Sequence, residues 1–201
     1  MRHLILATNN GHKVREIRAI LEGLPVQMFD ASHLPAPPDP EETGQTLAEN
    51  AVIKARAFHE ASGEWSLADD SGLEIDALSG APGVMSARFA GAGCTFADNN
   101  AKILRLLSDV PVEMRTARFR CVAALVTGAG SPEVFEGTIE GSVTFEPHGD
   151  GGFGYDPIFY CGELGLTFAE ASEVDKNRVS HRARAFEKAR RCMETLLRQR
   201  S

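Results

Sequence analysis

The first part of this chain alternates short apolar runs with a stretch in which apolar residues recur at helical spacing. The short apolar runs at Leu4–Ala7 and Val26–Phe29 predict buried strands. Between them, from His12 to about Leu24, apolar residues recur at helical spacing and predict an amphipathic helix. A strand, a tight turn and a helix in this order are typical of an α/β fold.

The same signals organise the rest of the chain. Four prolines between Pro35 and Pro40 predict an irregular segment. Thr46, followed three residues later by Glu49, forms a capping box and predicts a helix over 50–61. Further patterns predict a helix at 98–107, a hairpin of two strands at 115–127 and 133–145, a strand at 158–160 and a final helix at 180–200.

Composition narrows the class of protein. The 201 residues are 43% hydrophobic and 24% charged, which suits one globular domain or two small lobes that share a core, and we expect a single domain over 1–201. No apolar run approaches the roughly 20 residues of a membrane span, and the apolar start is too short for a signal peptide, so we expect a cytoplasmic protein without a membrane partner. Four scattered cysteines indicate neither a disulfide framework nor a zinc cluster.

The charge balance of the chain limits the kind of ligand it binds. With 21 basic and 28 acidic side chains, the formal net charge is −7. Such a chain is a poor partner for a nucleic-acid backbone, and we expect none. A phosphate ligand would therefore have to be met by local cations or by a metal ion.

The adjacent carboxylates of Asp69 and Asp70 are the most informative chemical feature. Successive side chains of a strand point to opposite faces, so the two cannot both face solvent if the strand is packed on both sides. A carboxylate held in a cleft needs a compensating partner, and a divalent cation can serve. The Asp-Asp-Ser-Gly sequence is also good turn chemistry, so both interpretations stay open.

A small-residue turn precedes the first predicted helix. Thr8, Asn9, Asn10 and Gly11 lie where unpaired helical N–H groups could bind an anion, and Lys13 follows in the first turn. The Walker A pattern is absent, so no P-loop is inferred. An ordinary turn followed by a solvated lysine is the alternative.

Two later motifs carry side chains that could bind a ligand, one in a glycine-rich loop and one at a helix start. The loop Gly151–Pro157 carries Phe153, which could stack on a planar ligand. Ser180 is a candidate N-cap for the last helix, with His181 and Arg182 beside its first N–H groups. A flexible surface hairpin and a solvated polar helix start are the alternatives.

Taken together, these motifs resemble one family in order and spacing, the inosine/xanthosine triphosphate pyrophosphatases. The resemblance extends from residue 4 to the C-terminal helix, and it is weakest at 30–40 and 128–148. It is carried by Thr8–Lys13, Glu41–Gly44, Glu49–Ala51, Lys54–Arg56, Ala68–Leu73, Gly80–Gly83, Ser86–Phe89, Gly151–Phe159 and Ser180–Arg182.

The resemblance implies both a fold and an activity. The expected fold is α/β, with a long central mixed sheet flanked by helices and two lobes around a nucleotide-binding cleft, in a homodimer. The expected reaction is Mg²⁺-dependent hydrolysis of ITP, dITP and XTP to the monophosphate and pyrophosphate. Such an enzyme removes deaminated purines from the nucleotide pool.

The resemblance also assigns residues to roles. Asp70 would be the general base, with Asp69 as the less favoured alternative, since the sequence does not order the two. Glu42 and Asp70 would bind the metal, Lys13 and Lys176 would balance the phosphate charge, and Phe153 would stack on the purine. Donors of His181 and Arg182 would favour a 6-keto purine over adenine, whose 6-amino group is itself a donor. The expected substrate-binding residues are Thr8, Asn9, Asn10, Gly11, His12, Lys13, Ser71, Phe153, Gly154, Tyr155, Asp156, Lys176, His181 and Arg182.

Three alternatives compete with this assignment. The related septum-inhibitor-like nucleotide pyrophosphatases share the architecture but act on pyrimidine or modified nucleotides, and the Gly151–Pro157 loop and the Ser-His-Arg helix start disfavour them. A module that binds nucleotides without cleaving them would not need Lys13, Glu42 and Asp70 together. A structural role would leave the polar residues of the loops unexplained.

Overall fold

A computed structural model describes residues 2–128 and 130–199. These residues form an α/β fold in which helices flank one mixed sheet of seven strands, in the order β2-β1-β3-β4-β5-β6-β7. The strands are β1 Arg2–Leu6, β2 Val26–Asp30, β3 Trp65–Ile75, β4 Thr116–Val126, β5 Glu133–Val143, β6 Phe159–Cys161 and β7 Leu166–Thr167. The α-helices are α1 Gly11–Ile20, α2 Leu47–Ser62, α3 Phe96–Leu106, α4 Glu173–Val179 and α5 His181–Arg198.

The first strand, turn and helix form as the sequence predicts. β1 is parallel to both its neighbours, with Leu4 opposite Met28 of β2 and opposite Trp65 of β3. Asn10 caps α1 through its side chain. The helix ends at Ile20, about one turn earlier than the apolar pattern suggested, and Leu21 is its C-cap. The local signals therefore identified the elements correctly and their ends less well.

The capping box at the start of α2 is confirmed. The Thr46 side chain accepts a hydrogen bond from the Glu49 N–H at 3.2 Å, and the Glu49 carboxylate accepts from the Thr46 N–H at 3.2 Å. At the other end Gly63 takes the left-handed conformation, with φ of 71°. Both ends of α2 are thus determined by short-range sequence.

The chain divides into two compact units, each built from separate segments. The first unit comprises residues 2–70, 121–137 with the gap at 129, and 182–199. Its core lies where apolar side chains of β1, β3 and β4 meet those of α1 and α5, and Trp65 and Phe186 are among its largest members. The expectation of a single domain over 1–201, and that of a cleft between two lobes, stay predictions.

The second unit comprises residues 71–120 and 138–181. Its core contains Ile103 of α3 and a cluster of aromatic rings, Phe119, Phe159 and Phe168. β5 is antiparallel to β6, and β6 is antiparallel to β7. Neither β7 nor α4 was predicted, because both are too short to show a period.

Two further sequence-based expectations can be compared with the structure. β4 and β5 are neighbours in the sheet, as a hairpin requires, although Ala129 of their connection lies outside the described residues. Within the Ser86–Phe89 segment that carries part of the resemblance, Ser86 is buried, and its hydroxyl donates to Gly83 O at 2.6 Å. Among the residues that the structure describes, no helix is long and apolar enough to cross a membrane.

Candidate active site

Asp69 and Asp70 lie inside strand β3, which runs without interruption from Trp65 to Ile75. The interpretation of this segment as a turn is therefore wrong. Both carboxylates are nevertheless buried, with 1% of Asp69 and 8% of Asp70 exposed. Since adjacent strand residues point to opposite sides, each carboxylate has its own set of partners.

Asp69 is held by two cations. Its Oδ2 lies 3.1 Å from Lys13 Nζ and 3.0 Å from Arg182 Nη2. Arg182 Nη1 in turn donates to Glu16 Oε2 at 2.6 Å. Burial by itself would raise the pKa of the Asp69 carboxyl, but Lys13 and Arg182 outweigh it and hold that pKa well below its ordinary range. Asp69 thus pairs as an anion with two side chains expected to contact substrate.

Asp70 shares one ammonium with a second carboxylate. Lys54 Nζ lies 3.0 Å from Asp70 Oδ1 and 3.2 Å from Glu42 Oε1. Asn50 Nδ2 donates to the other carboxylate oxygen, Asp70 Oδ2, at 3.4 Å. Glu42, Lys54, Asn50 and Asp70 all belong to the first unit, so a loop, a helix and a strand converge on this point.

The protonation equilibria of this cluster differ from those of free side chains. Burial raises the pKa of the Asp70 carboxyl above its ordinary value, although Lys54 and Lys13 act in the opposite direction. Burial by itself would lower the pKa of Lys54, but the carboxylates of Asp70, Asp69 and Glu42 outweigh it and raise that pKa. A carboxylate with a raised pKa binds a proton more readily, which is what a general base requires.

Several polar groups of the turn before α1 form hydrogen bonds within the turn and to the first residues of the helix. Asn10 Oδ1 accepts hydrogen bonds from the N–H groups of His12 at 2.9 Å and Lys13 at 3.3 Å. The Asn10 N–H donates to Thr8 Oγ1 at 3.2 Å. Two of the helical N–H groups considered for anion binding are therefore engaged by the cap.

In the second unit, the glycine loop closes around a buried ion pair. Lys176 Nζ of α4 lies 2.6 Å from Asp156 Oδ2, and the same oxygen accepts from the Phe153 N–H at 2.8 Å. Gly152 has a φ of 68°, and a Cβ there would lie 2.1 Å from Asp156 Oδ2. Only glycine fits at this position, so the backbone conformation and the lack of space explain why residue 152 of the motif is glycine.

The aromatic residues of the loop have different surroundings. Lys176 Nζ lies over the Phe153 ring, 4.9 Å from its centroid. Tyr155 is buried, and its hydroxyl donates to Ser86 O at 2.7 Å, so the Tyr155 side chain supports the loop from within. The His181 ring stacks on Phe119 with centroids 4.6 Å apart.

The structure therefore brings half of the predicted site residues together in two groups, which also include Lys54 and Asp69. We call the first the carboxylate–lysine group (Lys13, Glu42, Lys54, Asp69 and Asp70) and the second the aromatic–lysine group (Phe153, Gly154, Tyr155, Asp156 and Lys176). Ser71 follows Asp70 in β3 and is half-buried, whereas Asn9, Gly11 and His12 are exposed. The roles assigned to all these residues stay predictions.

Three residues of the first unit that take part in these contacts were not among the predicted site residues: Glu16, Asn50 and Lys54. Lys54 was noted only as part of a motif, and Glu16 only as part of a helix. Both sit on helices where a charged side chain is the usual surface residue, so nothing in the local sequence distinguishes them. Arg182, for which a solvated side chain was the alternative, is only 1% exposed.

The oxygen ligands present fit a magnesium ion held partly by its substrate. Among the described residues, no group of three or more His, Cys, Asp and Glu side chains is placed to bind a metal. Two carboxylates, those of Glu42 and Asp70, do converge on one cation, the Lys54 ammonium. Mg²⁺ is commonly bound by one or two carboxylates together with substrate phosphates and water, so this pair matches its needs.

Comparison with known sequences gives a consistent answer. The model of the Ham1 family matches residues 4–192. A dITP/XTP pyrophosphatase of Desulforamulus reducens is 49% identical over 193 residues, which cover 96% of each chain. A dITP/XTP pyrophosphatase of Xylella fastidiosa is 47% identical over 199 residues, or 98% of this chain and 100% of that one.

Solved structures agree with the sequence comparison. A HAM1 protein from Coxiella burnetii superposes with a TM-score of 0.88 at 40% identity, covering 97% of this chain and 100% of that chain. A nucleoside-triphosphatase (dITP/XTP pyrophosphatase) from Mycobacterium abscessus superposes with a TM-score of 0.75 at 41% identity, covering 93% of this chain and 98% of that chain. The mixed sheet that the family resemblance implies is thus shared with these proteins.

Proposed function

This chain belongs to the Ham1 family, and from that premise we propose that it is a nucleoside triphosphate pyrophosphatase acting on non-standard purine nucleotides. The substrates are ITP, dITP and XTP, and the products are the monophosphate and pyrophosphate. The names of the relatives support the reaction. Its biological consequence is the removal of deaminated purines from the nucleotide pool.

The observation that carries the proposal is the convergence of Glu42 and Asp70 on the Lys54 ammonium, at 3.2 and 3.0 Å. An acidic protein that binds a triphosphate, with about four negative charges, needs cations placed at one point. The carboxylate–lysine group supplies two lysines and a pair of carboxylates able to bind a metal. A structural ion-pair cluster would not need a second buried carboxylate next to the first.

Asp70 is the residue we propose as general base. Its raised pKa favours removal of a proton from the attacking water, and its partial burial keeps bulk solvent away from the reacting atoms. Asp69 is less suited to this role, because Lys13 and Arg182 hold it as an anion of low basicity. The two neighbouring carboxylates would therefore divide their tasks, with Asp70 reactive and Asp69 electrostatic.

The metal we propose is Mg²⁺, bound by Glu42 and Asp70. When bound, it supplies Lewis-acid stabilisation of the charge that develops on the phosphate oxygens. Lys13 and Lys54 add donors for the same oxygens, since an ammonium acts as a point charge for phosphate. Thr8, Asn9 and the neighbouring residues of the first turn complete the proposed phosphate contacts.

The aromatic–lysine group is the proposed site for the purine. Phe153 offers a ring on which a base can stack, and the Asp156–Lys176 pair keeps the loop in place. We propose that donors of His181 and Arg182 select a 6-keto oxygen over a 6-amino group. Asp69 and Glu16 already bind the Arg182 guanidinium through Nη2 and Nη1, so these two carboxylates set its orientation.

The same family membership supports the remaining proposals about the protein in the cell. We propose a cytoplasmic homodimer that binds purine nucleoside triphosphates and neither nucleic acid nor a membrane. Size-exclusion chromatography with light scattering at micromolar concentration tests the assembly. A monomer at that concentration would contradict it.

The proposed function is tested by pyrophosphate release from ITP, dITP, XTP, GTP and ATP at equal concentration. Each nucleotide is measured with Mg²⁺ and with EDTA. We expect release from ITP, dITP and XTP with Mg²⁺, much slower release from GTP and ATP, and none with EDTA. Release of inorganic phosphate without pyrophosphate would contradict the cleavage position, and binding of ITP without any release would indicate a nucleotide-binding module.

A further inference from the structure

Phe96 is an aromatic side chain whose position the proposed chemistry does not explain. It is the first residue of α3, and 45% of it is exposed. The start of the helix is fixed by a capping box, in which Thr95 Oγ1 accepts from the Asp98 N–H at 3.2 Å and Asp98 Oδ2 accepts from the Thr95 N–H at 2.8 Å. A polar residue would satisfy this exposed helix position equally well.

The Phe96 ring contacts the ring proposed to stack on the purine. Its centroid lies 6.4 Å from that of Phe153, with an interplanar angle of 61°. This is an edge-to-face arrangement, which aromatic pairs prefer because the positive edge of one ring meets the negative face of the other. Phe96 Cε1 also lies 3.9 Å from the position that a Cβ at Gly154 would occupy, so the helix start lies close to the loop backbone.

A second residue of α3 holds the same loop. Asn100, four residues after Phe96 and therefore on the same side of the helix, is buried. Its Nδ2 donates to Gly154 O at 3.1 Å. One turn of α3 thus contacts both the ring of Phe153 and the main chain directly after it.

We propose that Phe96 and Asn100 are positioning residues for nucleotide binding, which hold the Phe153 ring in the orientation that stacks on the purine. The proposal rests on the proposed function, since it assumes that Phe153 meets the base. It goes beyond that function because neither residue is part of the motifs that identified the chain. Free rotation of Phe153 would otherwise have to be lost when the nucleotide binds.

The contact predicts an effect on binding and not on chemistry. Stacking on the purine is the same in the bound substrate and in the transition state, so its loss raises KM and leaves kcat unchanged. Because the pair already exists in the free protein, it aids binding by ordering the Phe153 side chain in advance. The ordering cost of one side chain corresponds to about a threefold to tenfold change in binding. We therefore expect the KM of Phe96→Ala for ITP to rise about threefold to tenfold, with kcat within about twofold.

Leu106 provides a matched control on the same helix. It is the last residue of α3, is 46% exposed, and lies ten residues beyond Phe96, about 15 Å along the helix axis. Leu106→Ala therefore removes a comparably exposed apolar side chain far from the loop, and its KM should match that of the wild type. Phe96→Tyr retains the ring and should also match the wild type, whereas Phe96→Leu should resemble Phe96→Ala.

Inorganic tripolyphosphate separates the purine from the phosphates. It carries the phosphate charges without a base, so its inhibition constant should be the same in Phe96→Ala and in the wild type. Asn100→Ala should raise the KM for ITP in the same direction. Because Asn100 is buried, that variant is compared only if its melting temperature stays near that of the wild type.

The deciding experiment combines these variants with a direct binding measurement. The Kd for ITP is measured by calorimetry in EDTA, and KM and kcat are measured with Mg²⁺. A wild-type protein that releases no pyrophosphate would refute the proposed function, while the Kd values would still test the role of Phe96. Equal Kd values for ITP in the wild type and Phe96→Ala, or a parallel loss of tripolyphosphate affinity, would overturn the positioning role.

Discussion

Replacing Asp70 with asparagine tests the division of labour between the two adjacent carboxylates. The substitution keeps the volume and one oxygen of the side chain, so the packing of β3 is retained. It removes the negative charge 3.0 Å from Lys54 Nζ and with it the proposed base and one metal ligand. Lys54 remains paired with Glu42 at 3.2 Å, so no buried cation is left alone.

We expect Asp70→Asn to lower the activity of the protein without lowering its stability. A general base contributes about 10²- to 10⁴-fold, so kcat should fall on the order of 10³-fold, which is about 4 kcal/mol in the barrier. The affinity for ITP should change by less than about tenfold. Burial raises the folded-state pKa of Asp70, so ionisation at neutral pH costs the folded state more than the unfolded state. The melting temperature of Asp70→Asn at pH 7 should therefore equal or exceed that of the wild type.

The pH dependence follows from the same pKa shift. For a carboxyl with a raised pKa, the contribution to stability is complete below the unfolded pKa of about 3.9 and is lost as pH rises through the folded pKa. The stability advantage of Asp70→Asn should thus be present at pH 7 and shrink as pH falls toward 4. Thermal unfolding followed by circular dichroism between pH 4 and pH 8 measures it.

Asp76→Asn is the control for a carboxylate-to-amide change. Asp76 is exposed and binds Arg118 at 2.9 Å and Thr116 at 2.6 Å, all in the second unit. Its activity should equal that of the wild type. If Asp70→Asn kept more than a tenth of the wild-type kcat in the pyrophosphate assay, Asp70 would not be the base.

Three further substitutions test other contacts of the two units. Lys54→Met should lower kcat/KM about 10- to 100-fold, because it removes a charged donor to the phosphates. It should also lower the Mg²⁺ concentration needed for half-maximal activity, because Glu42 and Asp70 no longer share an ammonium. An unchanged dependence of activity on Mg²⁺ would contradict this. Tyr155→Phe removes the hydrogen bond to Ser86 O and should lower the melting temperature by about 2–4 °C at pH 7. Burial raises the pKa of Tyr155, so the stabilisation by its hydroxyl is full below the unfolded pKa of about 10 and declines above it. If the difference in melting temperature between the wild type and Tyr155→Phe stayed constant from pH 8 to pH 11, the raised pKa would not be its cause. Arg182→Lys keeps a positive charge beside Asp69 but removes the guanidinium donors, so the ratio of kcat/KM for ITP over ATP should fall, and an unchanged ratio would exclude that guanidinium from base selection.

Much of the fold followed from short-range sequence. The Thr46 and Glu49 pair determined the start of α2, since both hydrogen bonds of the box lie within four residues. Gly63 ended the helix for the same local reason. β7 and α4 escaped prediction because a strand of two residues and a helix of seven are stabilised by their neighbours and not by a period of their own.

The candidate site was predictable where several motifs occurred together. The family resemblance assigned Glu42, Asp70 and Lys13 to one site, and the structure brings Glu42 and Asp70 to the same ammonium. The sequence of α2 did not show that Lys54 lies on the buried side of the helix. The helix is rich in alanine, so its apolar and polar faces are only weakly distinguished. The same limit applies to Glu16, whose partner Arg182 lies 166 residues away.

By itself, the sequence determined the order of the longer elements, the capping box of α2 and the resemblance to one family, because these depend on residues that are near neighbours in the chain. Only the tertiary structure decided that Asp69 and Asp70 differ. Asp69 meets Lys13 and Arg182, whereas Asp70 meets Lys54 and Asn50, and these partners come from distant segments. Two identical side chains in one strand thus acquire opposite pKa shifts, since the environment of a buried charge depends on what the fold places around it.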